Sequence, residues 1–179
     1  MSAGAAVRAR AVLFDRDGTL VHDVPYNGDP ALVRPVEGAR RAVERLRAAG
    51  LRIGLVSNQS GVARGLLTAA AVSAVNDELQ RQVGSFDAVA VCLHAPEDGC
   101  RCRKPAPGLV LQAAAALGLR PDETVVIGDI GADIGAAAAA GARSILVPTP
   151  ATRPEEVEEA PLVAADLGAA VDLVLGGLP

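Results

Sequence analysis

Asp15 and Asp17 stand two residues apart at the end of the apolar run Val12 to Phe14, and Gly18 and Thr19 follow at once. In an extended chain residues i and i+2 point the same way, so both carboxylates leave the strand end on one face. Like charges held that close repel. A metal ion or a basic side chain between them relieves the repulsion, as does a proton kept on one acid. The same letters also suit an ordinary Asp-Gly turn leaving a strand.

Three further segments carry chemical groups. Ser57-Asn58-Gln59-Ser60-Gly61 follows a second apolar run and offers a hydroxyl and turn N–H groups suited to phosphate oxygens, although a plain strand-to-helix loop reads alike. Lys104, in Arg103-Lys104-Pro105, places an ammonium just before a helix start, where a solvated surface lysine is the common alternative. "VVIGDIGAD" ends a third run in Gly128-Asp129 with Asp133 four residues on. Its glycines, Gly128, Gly131 and Gly135, do not follow the G-x-G-x-x-G spacing of a dinucleotide site.

The cysteines of the chain, Cys92, Cys100 and Cys102, gather in one window with His94. An odd number of thiols disfavours a disulfide framework. Three thiols and an imidazole make a closed tetrahedral zinc set, with no open position for chemistry. Three unligated thiols beside a surface histidine are the alternative, but buried cysteines scatter and do not gather beside a histidine.

Alternating short apolar runs and helical stretches must position these groups. Strands are expected over Ala11 to Asp15, Leu51 to Ser57, Phe86 to Leu93, Thr124 to Asp129 and Ser144 to Val147. Helices are expected over Val36 to Ala49, Thr68 to Val83, Pro107 to Leu117 and Ala132 to Ala140, each closed by a glycine. The pattern predicts a doubly wound, Rossmann-like α/β fold, a parallel sheet with helices on both faces. Ligands bind beyond the carboxyl ends of such strands, where Asp15, Ser57, His94 and Asp129 all fall.

At 179 residues the chain has the length of one domain, 1–179, with the cysteine window at 92–102 and a tail at 148–179. The tail is proline-rich, then acidic, read as a solvated face, and a last apolar stretch, Leu167 to Leu175, is expected to dock as a helix. Aromatics are 2% of residues and the net charge is −4, which excludes a basic, aromatic-studded nucleic-acid surface. "MSAGAAVRAR" lacks the apolar core of a leader, and no run reaches the ~20 apolar residues of a membrane span. These features predict a soluble, cytoplasmic protein with a small-molecule partner; they leave the oligomeric state open, with a monomer favoured.

Taken together and in this order, DRDGT, the Ser57 segment, Lys104 and GDIGAD resemble the haloacid dehalogenase superfamily of phosphohydrolases over Val12 to about Val147. The resemblance implies that Asp15 attacks phosphorus and that Asp17 is the general acid and base. It also implies that Mg²⁺ is held by Asp15, the Asp17 backbone carbonyl and Asp129. Lys104 and Ser57 would then stabilise charge on the transferring phosphoryl group. A zinc-braced module without catalysis is the contrasting reading, but nucleophile, second acid, lysine and metal acid are all present.

"C-x-H…C-x-C-R-K-P" is similar to the zinc loop of the subgroup that acts on heptose bisphosphate or histidinol phosphate, with Cys92, His94, Cys100 and Cys102 as Zn²⁺ ligands. The intervals where this superfamily inserts cap domains are filled here by expected elements, so the enzyme is expected to be capless. Specificity then falls to short loops: "HDVPYNGDP" with Tyr26, and Asn58, Gln59 and Ser60. "SNQSGVARG" resembles the heptose bisphosphate type. Arg64 and Arg103 suit a second phosphate, because guanidinium groups bind phosphate in bidentate fashion. The implied substrate is a phosphorylated sugar.

Overall fold

The run Ala11–Phe14, β1, is buried along its whole length, so it must be covered on both faces. Its odd and even positions part accordingly. Val12 and Phe14 join a core with Val43, Leu46, Leu79, Val171 and Val174. Ala11 and Leu13 join a second core with Leu109, Val110, Ala136 and Ala137. The computed structural model describes residues 8–178; residues 1–7, on which most of the leader expectation falls, and Pro179 lie outside them.

Four more strands complete one sheet: β2 (Arg52–Asn58), β3 (Ala88–Cys92), β4 (Thr124–Gly128) and β5 (Arg143–Leu146). All are parallel, in the order β3-β2-β1-β4-β5. The helices α1 (Ala39–Ala48), α2 (Ala69–Val83) and α6 (Leu167–Gly176) supply the first core. On the other face lie α3 (Gly108–Ala116) and α4 (Gly131–Ala140), whose alanines let helix backbones approach the sheet closely. The chain winds from β1 toward one edge, then returns to lay β4 on the other side of β1. The β1/β4 boundary is therefore the switch point at which a crevice opens beyond the strand ends.

The first helix begins three residues later than its pattern suggests. Gly38 takes a left-handed φ of 79°, and Val36 is held by Leu20, its N–H donating to the Leu20 carbonyl at 3.0 Å. The acidic run is more than a solvated face. Pro154–Glu159 forms a short helix, α5, and the Glu156 carboxylate accepts the N–H of Gly131 at 3.0 Å, at the start of α4. The last apolar stretch docks as expected: Asp166 caps α6, which packs on α1 through buried Leu167, Ala170, Val171 and Val174. Among the described residues no helix is long and apolar enough to cross a membrane.

Candidate active site

Both acids of the opening motif lie where β1 stops. Asp15 is 8% exposed, and its N–H still continues the sheet by donating to the Ile127 carbonyl at 2.9 Å. The chain then turns, which brings Asp129, at the end of β4, close to it. Gly18 makes that approach possible: its φ is 83°, and a Cβ there would strike the Asp129 carboxylate. Gly128 serves Asp133 in the same way, since a Cβ at 128 would occupy the place of that side chain.

Two basic side chains relieve the pair, Arg16 beside Asp17 and Lys104 beside Asp15. The Lys104 side chain is 3% exposed, and Nζ donates to Asp15 Oδ1 at 2.7 Å, Asp133 Oδ1 at 2.5 Å and the Val56 carbonyl at 2.9 Å. Burial opposes its charge, yet Asp15 and Asp133 hold the ammonium well above its ordinary pKa. Asn58 fastens the backbone of Lys104 to the end of β2, its Oδ1 accepting the Lys104 N–H and its Nδ2 donating to the Lys104 carbonyl, each at 3.1 Å.

Carboxylate oxygens of Asp15, Asp129 and Asp133 lie within 4.8 Å of one another. One ammonium against three carboxylates leaves two negative charges, the complement of one divalent cation. Burial first, then Asp133 and Asp129, push Asp15 well up, with Lys104 opposing. Burial and Asp133 raise Asp129 to about 6, although Thr19 Oγ1 donates to its Oδ1 at 3.3 Å. These hard oxygen donors fit Mg²⁺.

Asp17 is more open, its side chain 27% exposed, and Arg16 and Gln59 hold it. Gln59 Nε2 also donates to Ser57 Oγ at 2.9 Å. Asp15, Asp17, Tyr26, Asn58, Gln59, Ser60, Lys104 and Asp129 surround one cleft of about 400 Å³. Ser57, 1% exposed, lies beneath Gln59 and does not line it. Tyr26 stands at the mouth, half exposed, with a φ of 53° that few side chains adopt. Arg64 is exposed and off the cleft wall; Arg103 also lies outside it, beside the His94 carbonyl at 3.5 Å. A larger hollow of about 540 Å³, lined by Glu37, Arg41, Arg45, Asp166 and Asp172, lies between α1 and α6, away from these groups.

Sequence spacing left out Asp133 as the lysine's second partner, and Thr152, whose hydroxyl donates to the Asp129 carbonyl at 2.6 Å. It also left out Arg16 and Asn76. Arg16, inside the first motif, and Asp133, inside the last, carried a signal that could have been read; Thr152 and Asn76 lie in no motif.

The cysteine window closes into a cluster. Cys92–Cys100, Cys92–Cys102 and Cys100–Cys102 sulfurs are 3.7, 3.1 and 3.5 Å apart, and His94 Nδ1 is 3.6 and 3.3 Å from Cys92 and Cys102. A tetrahedron with metal–sulfur bonds of ~2.3 Å has edges of about 3.7 Å, so the donor set is compatible with zinc. Burial pushes the Cys92 thiol up to about 12. At Cys100 burial is outweighed by the Arg103 N–H and Cys102, which bring that thiol down to about 7. The Arg103 N–H donates to Cys100 Sγ at 3.4 Å, so the cluster directly precedes Lys104.

Residues 12–119 match the family described as haloacid dehalogenase-like hydrolase, and residues 101–171 match a second HAD-hydrolase-like description. The chain belongs to this family. It is 36% identical over 149 residues to the D-glycero-beta-D-manno-heptose-1,7-bisphosphate 7-phosphatase of Bordetella bronchiseptica, spanning 78% of this chain and 81% of that protein. The enzyme of that name from Pseudomonas putida is 31% identical over 172 residues, 89% of this chain and 96% of the other. The crystal structure of the B. bronchiseptica D,D-heptose 1,7-bisphosphate phosphatase, complexed with magnesium and phosphate, superposes with a TM-score of 0.82 at 32% identity. That alignment covers 93% of this chain and 98% of the other.

Two outcomes follow from the acids and the cluster. Because burial raises Asp129 in the folded state, its favourable contribution to metal-free stability is present at low pH and is lost as pH rises through about 6. Magnesium requires the carboxylate, so the thermal stabilisation by Mg²⁺ should grow between pH 5 and pH 7; an equal shift at both would contradict the acid set. Protein purified without chelator should carry one zinc per chain by elemental analysis. Cys100→Ser should lower melting temperature and activity together.

Proposed function

We propose that the chain is a Mg²⁺-dependent phosphomonoesterase that works through an aspartyl-phosphate on Asp15, its substrate D-glycero-D-manno-heptose 1,7-bisphosphate, cleaved at C7. The observation that carries the chemistry is Asp15 in an open cleft, 2.7 Å from a buried lysine and grouped with two more acids. A carboxylate attacks an anionic phosphate only where cations offset the repulsion, and Lys104 is placed to do so. Asp15, Asp129 and the Asp17 backbone carbonyl would hold the magnesium. When bound, it would supply the positive charge that draws the phosphate to Asp15.

In this reading Asp15 attacks phosphorus while the bond from phosphorus to the sugar oxygen breaks, and Asp17 gives its proton to the departing oxygen. Asp17 then takes a proton from water as that water attacks the phosphorus, releasing phosphate and restoring Asp15. Asn58, Gln59 and Ser60 offer hydrogen bonds along the cleft wall, and Tyr26 lies against the sugar at its mouth. Ser57 acts from beneath, by holding the Gln59 amide. Asp133 keeps Lys104 charged and in place.

The named relatives support the heptose substrate, and the absence of a cap over the cleft among the described residues suits a small bisphosphate whose second charge reaches past the rim toward Arg103 and Arg64. Zinc on Cys92, His94, Cys100 and Cys102 braces the loop that carries Arg103 and Lys104 and takes no part in the reaction. Residues 1–179 act as one domain. One chain brings every cleft group together, which supports a monomer, and the free thiols of the cluster suit the reducing cytoplasm.

Asp15→Asn should fold normally and lose more than about 90% of turnover, at least ~1.4 kcal/mol of barrier, in a phosphate-release assay. For substrate, kcat/KM on the heptose bisphosphate should exceed that on histidinol phosphate, and Arg103→Ala should erode the preference. A tenfold advantage for histidinol phosphate, about 1.4 kcal/mol, would replace the heptose assignment and leave the phosphatase standing.

A further inference from the structure

Arg16 is among the largest fully buried side chains of the molecule, 1% exposed, yet the phosphoryl-transfer reading gives it no task. It neighbours Asp17 in sequence, and in a continuing strand the two would point to opposite faces. Here the chain turns after Asp15, and the guanidinium folds back onto its neighbour. Nε lies 3.1 Å from both Asp17 oxygens, and Nη2 is 3.0 Å from Oδ2. Nη1 donates instead to Asn76 Oδ1 on α2, at 2.9 Å. The fork therefore spans two elements: one end grips the carboxylate and the other is pinned to a helix of the core.

The donors are shared unequally. Oδ2 of Asp17 accepts from Arg16 Nη2 and from Gln59 Nε2 at 2.8 Å, whereas Oδ1 has only its share of Nε. The oxygen with fewer donors aimed at it keeps lone pairs free for a reacting group. From this geometry we infer that Arg16, pinned by Asn76, positions the Asp17 carboxyl so that Oδ1 is the oxygen turned to the leaving group. This rests on the reading of Asp17 as general acid. Arg16 touches neither phosphorus nor sugar and is a positioning residue. A lysine is a point donor and cannot hold Asp17 and Asn76 at once, so the task needs the planar fork.

The leaving group distinguishes positioning from mere folding. A sugar phosphate releases an alkoxide that must be protonated as it departs, whereas p-nitrophenyl phosphate releases a phenolate that needs no proton. kcat/KM reports only steps up to phosphorylation of Asp15, so the later role of Asp17 as base does not enter. Relative to wild type, Asp17→Asn should lose about 100-fold more kcat/KM on the sugar phosphate than on the aryl phosphate. Arg16→Met should lose at least about tenfold more, with Arg16→Lys recovering less than half of that selective loss on a logarithmic scale, and Asn76→Ala about threefold more. Equal losses on both substrates in Arg16→Met, or full recovery by lysine, would overturn the positioning role while a selective loss in Asp17→Asn leaves the general acid standing. Equal losses in Asp17→Asn would overturn both. Should Arg16→Met fail to fold, Asn76→Ala decides in the same way, a parallel loss on both substrates refuting the inference.

Discussion

The lysine ammonium buried between Asp15 and Asp133 is the interaction on which the rest depends. A lone charge at 3% exposure would be expelled or neutralised; this one is kept by two carboxylates and a carbonyl. The arrangement is nevertheless unbalanced, because Asp129 adds a third carboxylate within reach. Burial answers by raising Asp15 and Asp129 toward their protonated forms. A divalent cation would answer better, by completing the charge and leaving the nucleophile ionised. The same imbalance that costs stability in the metal-free protein thus sets the site to receive magnesium and, with it, an anionic phosphate.

Much of the architecture serves to keep that lysine where it is. It comes from the loop between β3 and α3, far in sequence from Asp15, and two independent fastenings define its place. Asn58 ties its backbone to the end of β2, and the Cys92, His94, Cys100, Cys102 cluster ends two residues before it. The small residues do complementary work: Gly18 and Gly128 remove the Cβ atoms that would keep Asp129 and Asp133 from closing on the group. The tail contributes as well, since Thr152 holds the Asp129 carbonyl and Glu156 the first N–H of α4.

What was legible in the sequence follows from how local each signal is. Apolar runs ending in acids mark parallel strands and their carboxyl ends, so the sheet, the helices on both faces and the convergence of Asp15, Ser57, His94 and Asp129 on the strand ends could be read directly, whereas Lys104 joined them only through the family resemblance. Cysteine spacing is similarly local, and the cluster forms where it was expected. Boundaries set by backbone conformation and tertiary hydrogen bonds could not be read: Gly38 turns left-handed before the helix, and Val36, ahead of it, bonds to Leu20. The acidic run concealed Glu156 because nothing in its neighbours announces a contact with Gly131. Ser57 was placed by its strand end and Arg103 by its guanidinium, and the structure puts the first beneath Gln59 and the second beside His94. Asn76 lies on the buried face of an otherwise ordinary amphipathic helix, where its type stands out only once Arg16 is seen against it.

The charge balance is tested most directly by Lys104→Met, a replacement that fills similar volume without the ammonium. If Lys104 offsets one of three buried carboxylates, its removal leaves the acid group more negative, so catalysis should fail while Mg²⁺ binds more strongly. Thermal unfolding of variant and wild type, each with Mg²⁺ and with chelator at neutral pH, reads this as the gap between the two melting temperatures. The account predicts a wider gap for Lys104→Met, from a lower melting temperature in chelator. A gap equal to or narrower than that of wild type would contradict it.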